Sequence, residues 1–224
     1  MKIDGAIFDL DGTLLDSMFI WDILGEQYLI SRGIKPHENL KEKFKSMSLY
    51  QAACYYQTEY GLANSTDVIM DGVNHMIQHF YKDEVLPKMG VLKFLGELKK
   101  RQVKMCVATA TDRHLAEAAL LHTGLLSYFG EIFTCSSVGH GKDEPDIYHA
   151  AHHFLQTPKS STWIFEDALY AVSTAKRAGY RVIGVFDRSA GHDDEIRTLA
   201  DLYIRSFKEM EELLDEKGAD NSRL

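Results

Sequence analysis

Ile3-Asp4-Gly5-Ala6-Ile7-Phe8-Asp9-Leu10-Asp11-Gly12-Thr13-Leu14-Leu15-Asp16-Ser17 is the stretch whose reading decides the fold. From Ile3 to Leu10 it is an apolar run of strand length, and it delivers two carboxylates into a turn. Residues two apart in an extended chain point the same way, so Asp9 and Asp11 start on one side. Gly12 allows a sharp turn just beyond them. Two anionic groups this close repel unless a cation or a shared proton offsets them. Mg²⁺, a hard ion that takes oxygen ligands, suits the pair. An Asp-Gly pair alone is ordinary turn chemistry; the whole string at the end of an apolar strand argues for a site.

Composition bounds the rest. The chain of 224 residues can bury one good core and a small second unit. Its 45% hydrophobic and 26% charged residues are those of a globular protein. A net charge of −8 argues against an extended nucleic-acid surface, which needs a basic patch. No apolar stretch approaches the roughly 18 to 20 residues that span a bilayer. Asp4 and Asp9 interrupt any signal-like apolar region near the start. Cys54, Cys106 and Cys135 are odd in number and widely spaced, and are expected as free thiols in a reducing cytoplasm. His152-His153 reads as helix surface.

Working outward, Ile3–Asp9, Lys104–Thr109, Glu131–Cys135, Thr162–Glu166, Arg181–Phe186 and Asp201–Ile204 read as short strands. Helical patterns separate most of them. Val91, Phe94, Leu95 and Leu98 share one helix face, as do Ala168, Ala171, Val172 and Ala175. Asp112 is the expected N-cap of a helix through Leu121 that Gly124 stops. Strands alternating with helices imply right-handed crossovers and an α/β fold, a parallel sheet covered on both faces. From about Asp16 to Asp83 the alternation stops and only helical pattern is seen, beginning with Ile20, Ile23, Leu24 and Tyr28. That stretch is expected to form a small helical cap, with Pro87 and Gly90 marking the return to the main domain. Lys217–Leu224 is polar and expected to fray.

Open parallel sheets bind ligands beyond the carboxyl ends of their strands. The second strand ends at Thr109, followed by Ala110, Thr111 and a helix start. A hydroxyl with backbone N–H groups at a helix N-terminus can cradle phosphate, although the same pattern also serves plain capping. Gly139-His140-Gly141-Lys142-Asp143-Glu144-Pro145-Asp146-Ile147-Tyr148 offers a loop of close approach and one positive charge. In isolation Lys142 fits a solvated lysine in an acidic loop equally well. Pro145 suits a first helical turn. The fourth strand ends in Glu166-Asp167; Asp167 reads either as a helix cap or, beside the first strand, as part of a cation site.

Asp9-x-Asp11, Thr109, Lys142 and Glu166-Asp167 occur in the order of the four motifs of the haloacid-dehalogenase superfamily, which the chain resembles from Lys2 to about Phe207. The opening string is similar to the family's Asp-x-Asp-Gly-Thr-Leu-x-Asp-Ser, and the third element to its Gly-Lys-x-x-Pro-Asp-x-Tyr form. Asp143 and Glu144 stand where the family commonly has proline and a small residue. Ala168 and Ala171 stand where it often has serine and glycine. A helical insert after the first motif is typical of the subgroup of phosphoglycolate phosphatase-like enzymes and β-phosphoglucomutase.

The resemblance implies a Rossmann-like core of residues 1–15 and 84–224 with a cap of residues 16–83, and a central first strand. It implies Asp9 as the nucleophile that forms an aspartyl-phosphate and Asp11 as general acid/base. Thr109, the Ala110 N–H and Lys142 would bind phosphate. Mg²⁺ would be held by Asp9, the Asp11 carbonyl and Asp167, with Glu166 helping. The expected function is Mg²⁺-dependent hydrolysis of a small phosphorylated metabolite in the cytoplasm. The enzyme is expected as a monomer or weak dimer with no nucleic-acid or membrane partner. The alternative is a sugar-phosphate mutase of the β-phosphoglucomutase kind. Such mutases carry a cap His and Arg where this chain has Trp21 and Leu49. Specificity is expected from Ser46–Tyr50 and from Trp21 and Tyr50.

Overall fold

The computed structural model describes residues 1–210 apart from Asn39, Lys45, Ser46 and Ser48, and for Trp21, Asp22, Lys41 and Glu42 the backbone alone. The expected fraying at 217–224, Ser46 and Ser48 of the Ser46–Tyr50 stretch and the side chain of Trp21 therefore lie outside the described residues. The chain divides into two compact units, Met1–Asp16 with Val85–Leu224, and Ser17–Glu84.

The first unit is a six-stranded parallel sheet, built from β1 (Gly5–Phe8), β4 (Lys104–Thr109), β5 (Ile132–Thr134), β6 (Thr162–Glu166), β7 (Arg181–Val185) and β8 (Leu202–Ile204). The spatial order is β5-β4-β1-β6-β7-β8, so β1 lies between β4 and β6. All five pairings are parallel, with Phe8 opposite Val107 on one side and Phe165 on the other. Helices α5 (Val91–Lys100), α6 (Arg113–His122), α7 (Cys135–Val138), α8 (Asp146–Leu155), α9 (Leu169–Arg177) and α10 (Asp193–Leu199) supply the connections.

Alternation along the strands builds the core in two layers. Ile7, Cys106, Ile164 and Val182 pack with Ile147, Ala151 and Leu155 of α8, Val172 of α9 and Ile196 of α10. Phe8 and Phe165, one residue further along, stack at 4.4 Å between ring centres. Phe94 of α5 meets both rings, and Phe207 meets Phe94 and Phe165. The face read from the sequence of α5, Val91, Phe94, Leu95 and Leu98, is fully buried.

Several boundaries differ from the sequence reading. The first strand pairs only over Gly5–Phe8, because the chain begins its turn at Asp9, whose N–H still reaches the Phe165 carbonyl at 2.9 Å. Glu131 falls outside its strand and its carboxylate accepts the Ile132 N–H at 2.8 Å. Cys135 opens α7, whose N-terminus Thr134 and Ser137 cap with a reciprocal capping box. Asp112 stands at the N-cap of α6 but makes no cap hydrogen bond, and instead accepts from the Ser136 hydroxyl at 3.3 Å. Ala168, not Asp167, occupies the N-cap of α9. A two-residue antiparallel ribbon, β2 (Leu15–Asp16) with β3 (Leu86–Pro87), has no signal in the sequence beyond Pro87.

The second unit consists of α1 (Phe19–Ser31), α2 (Leu40–Phe44), α3 (Leu49–Tyr60) and α4 (Thr66–His79), followed by a π-helical turn, Phe80–Glu84. Ile69, Val73 and Ile77 form the buried stripe of α4, and Ser65 caps its start by accepting the Val68 N–H. Ile20, Leu24 and Tyr28 of α1 are buried as expected, whereas Ile23 is 36% exposed and lies off the buried stripe. The Tyr56 hydroxyl donates to the Gly25 carbonyl at 2.8 Å. Tyr50, at the start of α3, is exposed.

Phe94 touches three other rings and has no solvent exposure. Phe94→Ala should therefore lower the free energy of unfolding by about 3–5 kcal/mol, read from urea denaturation.

Candidate active site

The two acids of the opening string end in different surroundings. Asp9, one residue past β1, is 6% exposed and its carboxylate accepts from the Lys142 ammonium. Asp11, past the start of the turn, accepts at Oδ2 from the Thr111 hydroxyl at 2.6 Å. Gly12 has φ +79°, the left-handed conformation that turns the chain between them and Leu15.

The neighbours of β1 bring the other predicted residues to the same end of the sheet. Glu166 is the last residue of β6 and Asp167 follows it; both are buried. One oxygen from each of Asp9, Glu166 and Asp167 lies within 4.8 Å of the others, and this trio is the single such group among the described residues. Lys142 Nζ also donates to Glu166 Oε2 at 2.8 Å, to which Tyr148 of α8 donates at 3.3 Å. Thr13 donates its hydroxyl to Asp167 Oδ1 at 3.0 Å. Thr109, the last residue of β4, is buried and its hydroxyl oxygen accepts the Thr111 N–H at 3.0 Å. Ala110, between them, is exposed.

Burial dominates the electrostatics. It raises the pKa of Asp9 well above the ordinary carboxylate range, with Glu166, Asp167 and Asp11 adding repulsion and Lys142 opposing. Asp167 is pushed up to about 7 by burial and then by Glu166, against the opposing pull of Lys88 and Thr13. Burial by itself disfavours charged Lys142, but Asp9 and Glu166 outweigh it and the pKa ends well above the usual lysine value. Three buried carboxylates thus lie together, two of them bonded to the Lys142 ammonium and the third under the weaker pull of Lys88. The trio offers only carboxylate oxygens, the donors that hard divalent cations take, and its surplus charge is what such an ion offsets.

Six of the seven residues singled out in the sequence fall into two contact groups. Asp9, Lys142, Glu166 and Asp167 meet directly, while Thr109 and Asp11 are joined through Thr111. The Asp11 carboxylate is not part of the acidic trio. Sequence reasoning missed Thr13, Thr111, Tyr148, Lys88 and Asp187. Thr13 and Thr111 lie inside motifs already noticed, where their polar side chains at a turn were a usable signal. Asp187 follows β7, a strand end to which the rule for parallel sheets also applied.

Residues 6–185 match the haloacid dehalogenase-like hydrolase family. The chain is 26% identical over 205 residues to validoxylamine A 7'-phosphate phosphatase of Streptomyces hygroscopicus subsp. limoneus, covering 92% of this chain and 94% of that protein. It is 26% identical over 219 residues to β-phosphoglucomutase of Bacillus subtilis, covering 91% and 93%. In structure it is similar to a candidate β-phosphoglucomutase of Thermotoga maritima, with a TM-score of 0.85 and 22% identity over 96% of this chain and 99% of that one. With the match spanning β1 to β7 and every strand end that carries the acidic trio, the chain belongs to the haloacid dehalogenase-like hydrolases.

Proposed function

We propose that the protein is a Mg²⁺-dependent phosphatase that hydrolyses a small phosphomonoester through an aspartyl-phosphate on Asp9. One observation carries the reading: Asp9, Glu166 and Asp167 come together at adjacent strand ends, the first two bonded to Lys142, while Asp11, two residues on, is bonded to Thr111. Phosphatase names among the relatives support it. On the same reading residues 1–15 and 84–224 are the catalytic core and 16–83 the cap. The protein would act in the cytoplasm as a monomer or weak dimer, without a nucleic-acid or membrane partner. No helix among the described residues is long and apolar enough to cross a membrane.

Asp9, Glu166 and Asp167 would hold Mg²⁺ with the Asp11 carbonyl, and the ion would supply charge neutralisation between phosphate and carboxylate. An Asp9 oxygen attacks phosphorus as the bond to the ester oxygen breaks. Asp11 gives its proton to the leaving alkoxide. Thr109, the Ala110 N–H and Lys142 take up charge on the phosphoryl oxygens. Ionised Asp11 then removes a proton from water, whose oxygen attacks phosphorus, breaks its bond to Asp9 and frees inorganic phosphate.

A β-phosphoglucomutase-like transfer is the second reading, favoured by the names of two similar proteins. Against it, Leu49 stands where those mutases carry an arginine, and it lines an apolar cleft of about 270 Å³ with Leu24, Phe44, Met47 and Val73. Trp21, where they carry a histidine, cannot act as an acid or base.

Asp9→Asn should keep the fold and reduce turnover to below about 1% of wild type, measured as phosphate release from a panel of sugar phosphates and phosphoglycolate. In that panel one inorganic phosphate should appear for each ester consumed; conversion of β-glucose 1-phosphate to glucose 6-phosphate faster than phosphate release would install the mutase instead. The metal dependence has a thermal signature. Without a cation, Asp167 has a pKa of about 7 in the fold against an ordinary 3.8, so the folded state holds the extra proton between these values and loses stability as pH rises through them. Mg²⁺ competes with that proton, so it should raise Tm by several degrees at about pH 8 and hardly at all at about pH 5. Equal shifts at both would remove Asp167 from the metal site.

A further inference from the structure

Lys88 lies where the chain has just returned to the sheet unit, in a cavity of about 390 Å³ that Phe186, Asp187, Arg205 and Phe207 also line. Its side chain is only 14% exposed. A lysine ammonium has three N–H donors, and here three acceptors surround it. They are the Gly12 carbonyl, the Phe186 carbonyl at 2.6 Å and Asp187 Oδ2 at 2.8 Å. The backbone joins in, since the Lys88 N–H donates to the Leu14 carbonyl at 2.8 Å. Asp187, with 2% side-chain exposure, also accepts the Ser189 N–H at 2.8 Å and is thereby fixed.

A buried Lys–Asp pair by itself would be an ordinary tie between two segments. The bond to Gly12 gives it a different reach. Gly12 follows Asp11 directly, sits at positive φ and has no side chain of its own to lock the turn. Inside the turn the Gly12 N–H bonds to the Leu15 carbonyl, and the Leu14 and Leu15 N–H groups both bond to the Leu10 carbonyl. Lys88 is the cation bonded to that turn among the described hydrogen bonds, and it approaches from the backbone side. Thr111 grips the Asp11 carboxylate itself.

We propose that Lys88 is a positioning residue for Asp11, holding the Gly12 carbonyl so that the carboxylate that handles protons stays in register with Asp9. The proposal rests on the phosphatase reading for what Asp11 does, and on geometry alone for what Lys88 holds. Asp187 anchors the ammonium so that its remaining donors point at the two carbonyls.

Lys88→Met strands Asp187 as a buried unpaired charge, so a loss of stability from it proves little. The decisive variant is Lys88→Met with Asp187→Asn, which removes both charges at nearly constant shape. It should recover most of the Tm lost by Lys88→Met. Its kcat should remain at least about 10-fold below wild type with KM within about 2-fold, because the defect lies in proton handling and not in ester binding. Hydrogen exchange gives a readout independent of turnover. In the double variant the Gly12, Leu14 and Leu15 amides should exchange at least about 10-fold faster, with the Ile7 amide of β1 unchanged. Unchanged turn amides, or a kcat that returns together with Tm, would overturn the proposal. Faster turn exchange in a protein whose wild type releases no phosphate would keep the brace and overturn the phosphatase reading.

Discussion

Three carboxylates that repel one another, Asp9, Glu166 and Asp167, are buried together at the end of a parallel sheet, and the rest of the core is arranged so that they stay there. Nothing in their mutual energetics favours this. Burial raises the pKa of Asp9 and of Asp167, and neighbouring acids raise them further. What holds them is the rigidity of their supports. β1 and β6 are hydrogen-bonded in register, and their adjacent aromatic residues Phe8 and Phe165 are stacked. A sheet packed on both faces by helices can keep an unfavourable charge cluster in place, because separating the charges would mean opening the core.

The same frame gives chemically identical side chains unequal settings. Asp9 and Asp11 are two residues apart, yet one faces an ammonium within the acidic trio and the other accepts a neutral hydroxyl. A carboxylate beside Lys142 and two further acids is suited to meeting a cation. One held by Thr111 stands outside the trio and answers to a neutral donor. Environment separates what composition cannot.

The sheet, its helices and the residues around the acidic trio were legible because they obey short-range rules. Buried parallel strands are continuous apolar runs, and their carboxyl ends are where polar side chains accumulate. Asp9, Glu166 and Asp167 stood out as charges at the ends of such runs, Lys142 only through its motif in the loop before α8, and the structure brings them together. What the sequence hid is held by partners far away along the chain. Thr13 bonds to Asp167 across 154 positions, so its motif could mark it but not name its partner, and Lys88 bonds to Phe186 across 98 with no local pattern that announces it. Asp112 is the N-cap the sequence suggested, although its carboxylate accepts from Ser136; Asp167 has the right residue type beside α9, but Ala168 takes the cap position and Thr13 reaches the Asp167 carboxylate. Ile23 shows the limit of periodicity, since a stripe read from Ile20, Leu24 and Tyr28 does not need it.

The ribbon of β2 with β3 gives the chain a further property. Asp16 is paired with Leu86, so the strand leaving the sheet unit and the strand returning to it stand side by side like the stem of a hairpin. From the side of the sheet, everything between these positions is the content of one loop. Lengthening a loop whose ends are already paired costs only the slowly growing entropy of closure, and no register in the sheet has to change. Such a stem lets the intervening segment change in length without moving the strand ends that carry the acids.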